Sequence, residues 1–368
     1  MKRVSTLALA CALTTGYAHA QVADSDNGNS VTLFGLLDAG ILYVPNQAGH
    51  GTTAADSGMM APDLFGVTGT ENLGGGTRAI FKLVSQFNLT NGTTIPGPGT
   101  LFSREAYVGL QNPRYGTLTL GDQYDVMTDE LLSFDASLYF GTFYDARQGP
   151  FAALRIPNNP SGSSDFDHVS GSMRISNAVK YKTPVSDGLS LTALYGFGDV
   201  AGSISADSTY GFGADYSNGP IAIGAAYSES KYAELNNGHD GIRTFGMGAH
   251  YAFSHLTVYL LYTNTRNTLT RAAVNVYEVS ESYRMSPVLT FGASYQYMQG
   301  NAQLTDNHAT QVATTLRYAL SKRTTLSFSL IYQHAAGDLP DTNAWINTLQ
   351  PSSSSTQMLV RAGISTVF

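Results

Sequence analysis

Sixteen stretches of this chain alternate between apolar and polar residues, and the connections between them are alternately short and long. Successive side chains of a β-strand point to opposite faces of a sheet, so each stretch has one apolar face and one polar face. In the last stretch, Val360, Ile364 and the terminal Phe368 lie on one face, while Arg361 and Ser365 lie on the other. A strand that ends on an aromatic ring is typical of an outer-membrane barrel, where the ring sits at the membrane–water interface.

The first twenty residues have the pattern of a secretory signal peptide. Lys2 and Arg3 precede the apolar stretch Leu7–Leu13, and Ala18-His19-Ala20 is a small-x-small cleavage site. The apolar stretch is too short to cross a bilayer as a helix. The single cysteine, Cys11, lies inside this segment. We therefore expect a mature chain of one domain, residues 21–368, without disulfide or thiol chemistry.

Composition narrows the class of protein. Without Lys2 and Arg3, 18 of the 20 basic residues remain against 27 acidic ones, which gives a net charge of −9 and argues against nucleic-acid binding. Charged residues make up only 13% of the chain, whereas it has 38 glycines and 22 tyrosines. After the signal, no apolar run reaches the length of a membrane-spanning helix. An exported chain of this kind is either a secreted β-protein or a membrane barrel.

The connections decide in favour of the barrel. Short turns on one rim and long loops on the other are typical of transmembrane barrels, and tyrosines recur at the strand ends as in an aromatic girdle. About sixteen strands enclose a space wide enough for water, so the polar faces point inward and the apolar faces meet lipid. We predict an all-β fold, a 16-stranded antiparallel transmembrane β-barrel. The predicted short turns are Leu73–Gly76, Asn112–Gly116, Val185–Gly188, Asn218–Pro220, Phe253–His255, Ser286–Pro287 and Ser321–Arg323.

Two predicted loops are of particular interest: the first, Pro45–Ala61, and the much longer Val126–Gly171. Long loops without a pattern in a compact fold are usually functional. The longer one begins with an acidic and aromatic half and continues with a half rich in Pro, Asn, Gly and Ser. Its aromatic residues predict that it packs against the inner wall. These aromatic residues are Phe134, Tyr139, Phe140, Phe143 and Tyr144.

Charged residues are the candidates for a functional site. On the strand Thr77–Thr90 the apolar row places Arg78 and Lys82 inside, and on Ser172–Pro184 it places Arg174 inside. Alternation alone does not place Arg104. Basic residues on one wall that face carboxylates on an inward loop create a transverse field that sorts solutes by charge. The acidic candidates are Asp122, Asp125, Asp129, Glu130, Asp135 and Asp145.

Several motifs, taken together and in order, resemble the general porins of Gram-negative bacteria, specifically the β-proteobacterial type. The resemblance covers essentially the whole mature chain. It implies a homotrimer in the outer membrane, in contact with its lipid and lipopolysaccharide, with the third loop (126–171) folded into the lumen of each barrel as a constriction. The motifs are Val31–Gly40, Gly66–Gly76, Arg104–Leu110, Tyr115–Gly121, Arg174–Tyr181 and Phe368.

The match to the family is partial at the constriction. Arg104 and Arg174 stand where the resemblance implies wall arginines. Leu64 and Asp122 occupy two positions that are commonly basic in the family. The thinner basic wall and the net charge of −9 favour cations over anions.

The resemblance implies passive diffusion of ions and small hydrophilic solutes, which needs no cofactor, metal or catalytic residue. A solute-specific channel for a sugar or an organic anion is the alternative, with the loop aromatics as a stacking path. An outer-membrane hydrolase would need a nucleophile, a base and an orienting group within reach of one another. The histidines show no such spacing, so we expect no enzyme.

Overall fold

The computed structural model describes residues 20–24, 28–95, 97, 99–135, 142–157, 164–339 and 342–368; for 20–24 it describes the backbone only. The predicted signal peptide therefore lies almost wholly outside the described residues. No helix in the described part is both long and apolar enough to cross a membrane.

The chain forms one continuous antiparallel sheet that closes on itself. The strands are β1 Ala20–Asp24, β2 Asn29–Gln47, β3 His50–Ser57, β4 Leu64–Gly74, β5 Thr77–Gln86, β6 Glu105–Asn112, β7 Gly116–Tyr124, β8 Arg174–Lys182, β9 Leu189–Gly196, β10 Thr209–Asn218, β11 Ile221–Lys231, β12 Gly241–Ala252, β13 Leu256–Asn267, β14 Ala273–Arg284, β15 Leu289–Gly300, β16 His308–Ala319, β17 Thr324–Ala336 and β18 Thr356–Val367.

The remaining elements are short helical segments in the connections. One α-helix, α1, spans Val126–Leu131. The 3₁₀ helices are Leu132–Phe134, Phe143–Asp145, Ala152–Leu154, Asn236–Gly238 and Ala302–Leu304.

The barrel has sixteen strands, as predicted, because β3 and β4 together occupy one strand position beside β2. The long strand β2 pairs with β3 through its second half and with β4 through its first half. The barrel closes where β18 pairs with β2, for example at Ile364 with Ala39. Strand β1 pairs with the first residues of β2. Each predicted short turn joins consecutive strands, and turn residues such as Gly75, Asp187 and Gly219 have the positive φ that tight hairpins require.

The prediction of a long first loop, Pro45–Ala61, is wrong for most of its length. Strand β2 continues to Gln47, and a tight hairpin at Ala48 and Gly49, both with positive φ, leads directly into β3. The sequence of β3 lacks an apolar row, so its strand state rests on backbone pairing with β2, which local alternation does not reveal.

The break between β3 and β4, residues 58–63, is closed by two buried carboxylates. Asp38 accepts hydrogen bonds from the backbone N–H groups of Met59 and Met60, at 2.8 and 3.0 Å. Asp63 accepts one from the N–H of Asp38 at 2.6 Å. Backbone groups at an interrupted ladder must find other partners, and these carboxylates supply them.

The two faces of the sheet differ as the alternation predicted. The outward row is rich in exposed apolar residues that form a band around the barrel, as lipid contact requires. Examples are Ile41, Val108, Leu120, Phe212, Met247, Leu260, Tyr277, Tyr295 and Phe328. On the inward row, polar and small residues such as Ser228, Thr263 and Gln311 are buried. Something inside the barrel therefore covers them.

The last residue, Phe368, packs against the outward face of β2. Its backbone exchanges two hydrogen bonds of 3.0 Å with Gly35, and a Cβ atom placed on Gly35 would lie 2.1 Å from the ring. Glycine is therefore required at this position for the ring to lie flat across the closing pair of strands.

We expect Gly35→Ala to lower the free energy of unfolding by about 1–3 kcal/mol, because the added methyl group displaces the Phe368 ring. Thermal unfolding followed by the loss of the compact, heat-sensitive band on a gel measures this effect. Gly97→Ala is the matched control, since a Cβ atom there meets no atom within 4 Å. An equal effect of both substitutions would contradict this account of the closing strand.

Candidate functional site

The connection between β7 and β8, residues 125–173, lies against the inward rows of the barrel, and we call it the inner loop. It begins with α1, whose N-terminus is capped by Asp125; the carboxylate accepts a hydrogen bond from the N–H of Met127 at 3.1 Å. The same carboxylate contacts His168 Nδ1 and Ser228 Oγ, each at 2.9 Å. Asp125 therefore joins the start of the inner loop to its end and to the wall.

Apolar side chains hold the inner loop along its length. Burying each large apolar side chain contributes about 1.5–3 kcal/mol, so together these contacts fix the loop. The α1 end packs on Ala226 and Leu261 through Met127, Leu131, Phe134 and Val169. The middle packs on Ile331 and Leu359 through Tyr144. The far part packs on Val274, Val276 and Met298 through Phe151, Leu154 and Phe166.

A fully buried arginine forms the charged centre of the inner loop. The guanidinium of Arg147 makes ion pairs with Asp135 and with Glu278 of β14, and its Nε lies 3.3 Å from Asp167. All four side chains have no solvent exposure or almost none. An arginine fork is suited to several carboxylates at once. This cluster links three points of the inner loop, Asp135, Arg147 and Asp167, to the barrel wall.

Asp145 is a second buried anchor. One carboxylate oxygen accepts a hydrogen bond from Ser294 at 2.7 Å and the other accepts one from Gln311 at 2.5 Å. Its backbone carbonyl accepts a further hydrogen bond from Gln296 at 2.9 Å. These partners lie on neighbouring wall strands, so Asp145 fixes the position of the inner loop.

The last connection, residues 337–355, also folds inward, which the sequence analysis did not predict. Ile346 and Leu349 pack in the same buried cluster as Tyr144. Asn347 donates a hydrogen bond to the carbonyl of Phe143 at 2.8 Å, and its amide oxygen accepts one from Ser164 at 2.7 Å. The inner loop is therefore held between the wall and this second loop.

A further buried arginine, Arg361 of β18, stabilises the wall beneath the inner loop. It pairs with Asp38 at 2.7 Å and with Asp56 at 2.8 Å. Asp56 also accepts a hydrogen bond from the Tyr144 hydroxyl at 2.9 Å. The closing strand, the broken strand and the inner loop therefore meet in one charged network.

The inner loop leaves part of the wall formed by β5–β9 open. A cavity of about 300 Å³ there is lined by Glu105, Tyr107, Asp129, Lys180, Lys182 and neighbouring threonines. Acids and bases alternate along it. Lys82 pairs with Glu105 at 2.5 Å, Lys180 with Asp129 at 2.5 Å and Lys182 with Asp215 at 2.9 Å. The charges facing this space are thus largely compensated.

Glu130 of α1 lies beside that cavity, 3.5 Å from the Lys182 ammonium, and its side chain is fully buried. Burial first, and the neighbouring Asp215 carboxylate second, raise the pKa of Glu130 to about 8, against an ordinary value of 4.5. The carboxyl group of Glu130 is therefore mostly protonated at pH 7 and adds little negative charge to the lumen.

Arg104 and Arg174 are brought together around Gly171, the end of the inner loop. Arg174 donates to the carbonyl of Gly171 at 2.7 Å, and a Cβ atom on Gly171 would lie 3.7 Å from an Arg104 nitrogen. The Arg104 guanidinium lies 5.4 Å from the Tyr124 ring centroid and donates to Gln86 at 2.6 Å. Within the described residues, neither arginine has a carboxylate within 4.0 Å. The two positive charges are therefore uncompensated by ion pairs.

The remaining predicted residues lie apart from this pair. Arg78 is exposed near the short-turn rim, opposite Gln111, and is not brought to the other three basic residues. Asp122 lies at an irregularity between β7 and β8 and accepts a hydrogen bond from Ser176 at 2.8 Å. Asp129 is the one acidic candidate classed as exposed, and Tyr139 and Phe140 lie outside the described residues.

Comparison with known proteins identifies the family. The family described as Gram-negative porin matches residues 6–338. The chain belongs to the Gram-negative porins. It is therefore an outer-membrane protein, as the resemblance implied, and it belongs to a family of channels rather than of enzymes.

Individual porins agree with this assignment. The chain is 31% identical over 289 residues to an outer membrane porin protein of Bordetella pertussis, which covers 70% of this chain and 68% of that protein. Its fold matches that of an anion-selective porin from Comamonas acidovorans with a TM-score of 0.75 and 23% identity, covering 92% and 100% of the two chains. It also matches a trimer form of OmpT from Vibrio cholerae with a TM-score of 0.64 and 14% identity, covering 92% and 99%.

Sequence reasoning about this porin missed Arg147, Glu278 and Arg361 as organising residues. The available signal for Arg147 was an arginine directly after the acidic and aromatic half of the loop. Its partners are separated from it by 12 and 131 positions. No local pattern connects positions so far apart.

We expect Arg147→Ala to lower the free energy of unfolding by about 3–5 kcal/mol, because it leaves three buried carboxylates without their cation. Limited proteolysis of the inner loop and thermal unfolding measure the loss. Arg155→Ala is the matched control, because Arg155 is an exposed arginine of the same loop. Equal protease resistance of both variants would show that Arg147 does not hold the loop.

The raised pKa of Glu130 predicts a pH dependence of stability. The folded protein retains a proton that the unfolded chain loses above pH 4.5, so stability decreases as the pH rises from there to about 8. We expect the unfolding temperature to fall between pH 6 and pH 9, and Glu130→Gln to reduce that fall. The slope that remains in this variant includes His168. Burial lowers the pKa of His168, but the neighbouring carboxylates, Asp125 first, together raise it above its ordinary value. An unchanged pH slope in Glu130→Gln would refute the assignment.

Proposed function

We propose that this porin is a passive diffusion channel for ions and small hydrophilic solutes, and that it works as a homotrimer. The observation that carries the proposal is the character of the wall that the inner loop leaves open. There, charged side chains such as Lys82, Lys182 and Asp129 remain 30–42% exposed inside a closed barrel. Such a surface is stable only in contact with water.

The proposed charge preference is for anions, in contrast to the preference inferred from the sequence. The inner-loop acids are neutralised locally: Asp125 by His168, Asp135 by Arg147 and Asp129 by Lys180. Arg104 and Arg174 have no such partner in the described chain. A pair of like charges without an ion-pair partner attracts counter-ions. The anion-selective porin from Comamonas acidovorans, which shares the fold, is consistent with this choice.

The proposed trimer is supported by the trimer form of OmpT, which has the same fold. Three further features of this porin are proposals as well. We propose that residues 1–20 are removed on export, that residues 126–171 set the size of the opening, and that the channel has no catalytic activity.

The observed packing gives little support to a solute-specific channel. Such a channel would use the loop aromatics as a stacking surface, yet Phe134 and Tyr144 are 2% and 3% exposed in apolar clusters. Phe143 is partly exposed and packs beside the last loop. A saturable block of conductance by one sugar or organic anion would favour the specific channel.

We expect Arg104→Gln/Arg174→Gln to lower the anion-to-cation permeability ratio by at least about threefold, because it removes both uncompensated charges. The reversal potential across a planar bilayer in a salt gradient measures this ratio, and stepwise conductance in threes tests the trimer. Arg78→Gln is the control, since Arg78 lies at the rim away from the pair. An unchanged reversal potential in the double variant would mean that selectivity is set elsewhere, and an absence of conductance in the wild type would refute the channel.

A further inference from the structure

A second cavity, of about 400 Å³, lies at the long-loop rim of the barrel, and we call it the rim cavity. The strands there run in the order β8, β9, β10 and β11, and the middle two stop at the pair Gly196 and Thr209. Strand β8 continues beyond that level, from Ala178 to Arg174. The rim cavity is therefore a gap above two shorter strands, with Arg174 on one side and Glu234, just after β11, on the other.

The walls of the rim cavity are held by backbone contacts. The N–H of Phe197 donates to the carbonyl of Asn177 at 3.2 Å, which joins the connection after β9 to β8. A Cβ atom on Gly198 would lie 2.1 Å from the carbonyl oxygen of Ala206, so the two arms of the loop 197–208 are in direct contact. A cavity whose shape is formed in advance loses less entropy when a ligand binds.

Three charged side chains that line the rim cavity have no counter-charge in the described part of the chain. Arg174 donates to the carbonyl of Gly171 and has no carboxylate within 4.0 Å there. The Oδ1 atom of Asp207 is buried and has no hydrogen-bond partner among the described residues. Glu234 is exposed and forms no ion pair with them. A buried acceptor without a partner is costly, and a ligand that carries a donor removes that cost.

The other two charged residues of the lining are directed to protein groups. The ammonium group of Lys231 donates to the carbonyl of Ser205 at 3.1 Å. The carboxylate of Asp199 accepts a hydrogen bond from the side-chain amide of Asn177 at 2.6 Å. The charges left for a ligand are therefore positive on the β8 side and negative toward β10 and β11.

Apolar side chains complete the lining of the rim cavity. They include Ile175, Tyr232 and Phe197, the last of which is 44% exposed. Sites for small molecules typically have volumes of about 300–1,000 Å³ and combine an apolar lining with a few convergent polar groups. The rim cavity has this size and this character.

We propose that the rim cavity binds a small zwitterion of the amino-acid class, with its carboxylate at Arg174 and its ammonium group at Asp207 and Glu234. A guanidinium group matches a carboxylate in a bidentate manner, and an ammonium group supplies the donor that Asp207 lacks. A free amino acid and a short peptide share these two end groups. The inference deepens the proposed function and rests on it only for the onward passage of the bound solute, because binding itself does not require conduction.

The test measures binding of L-phenylalanine to the full porin, purified in mild detergent, by isothermal titration calorimetry. The matched compounds are 3-phenylpropionate, which lacks the ammonium group, and 2-phenylethylamine, which lacks the carboxylate; glycyl-L-phenylalanine represents a short peptide. The variant is Asp207→Asn/Glu234→Gln. Glu71→Gln is the control, because Glu71 is an exposed carboxylate of β4 at the opposite, short-turn rim.

We expect L-phenylalanine to bind at least about tenfold more tightly than either matched compound, because only a zwitterion uses both sides of the cavity. The double variant should weaken L-phenylalanine and 2-phenylethylamine about tenfold and leave 3-phenylpropionate unchanged, and Glu71→Gln should change none of them. Tighter binding of the dipeptide supports the peptide form of the ligand, and weaker binding supports the free amino acid. Equal binding of the three phenyl compounds, or an unchanged affinity for L-phenylalanine in the double variant, overturns the proposal.

Two further outcomes separate this proposal from the proposed function. Conductance without zwitterion binding overturns the proposal and leaves the diffusion channel intact, whereas zwitterion binding without conductance supports the proposal and overturns the channel. If the double variant does not fold, the three phenyl compounds on the wild type decide: a preference for L-phenylalanine supports the proposal, and its absence overturns it.

Discussion

Everything inside this porin depends on the closure of one hydrogen-bonded sheet, where β18 pairs with β2. In lipid, each unpaired backbone N–H or C=O group costs several kcal/mol, so a sheet in the membrane must have no free edge. Closing it with sixteen strands produces an interior that side chains alone do not fill. The inner loop and the last loop occupy part of that interior, and the remainder is lined by charged groups.

The charges of the interior serve two separate purposes. One group, centred on Arg147 and Arg361, is buried and ion-paired and holds the loops against the wall. Removing one partner of such a group costs far more than the pair contributes, which makes the arrangement specific rather than strongly stabilising. The other group faces the open wall and remains in contact with solvent. The loop carboxylates that were expected to act on solutes belong mostly to the buried group. Arg104 and Arg174 are therefore the main source of the electrostatic field near Gly171.

The sequence was sufficient for the strands, the short turns and the inward packing of the inner loop, because period-two alternation, turn residues and aromatic density are local signals. It was insufficient for β3, whose polar residues are held in a strand by β2, and for the loop 337–355. The roles of Asp125 and Asp145 were equally hidden, because each depends on partners such as Ser228 and Gln311 far along the chain. Asp135 acts through Arg147, which also pairs with the distant Glu278. Alternation predicts which way a side chain points but not what it meets there.

The break in the wall at residues 58–63 is also a contact point for the inner loop. The N–H of Phe143 in the inner loop donates to the carbonyl of Met59 in that break, at 2.6 Å. The inner loop thus supplies a backbone hydrogen bond that the interrupted strand lacks. Moving the inner loop away from the wall would therefore leave the Met59 carbonyl without this hydrogen-bond partner.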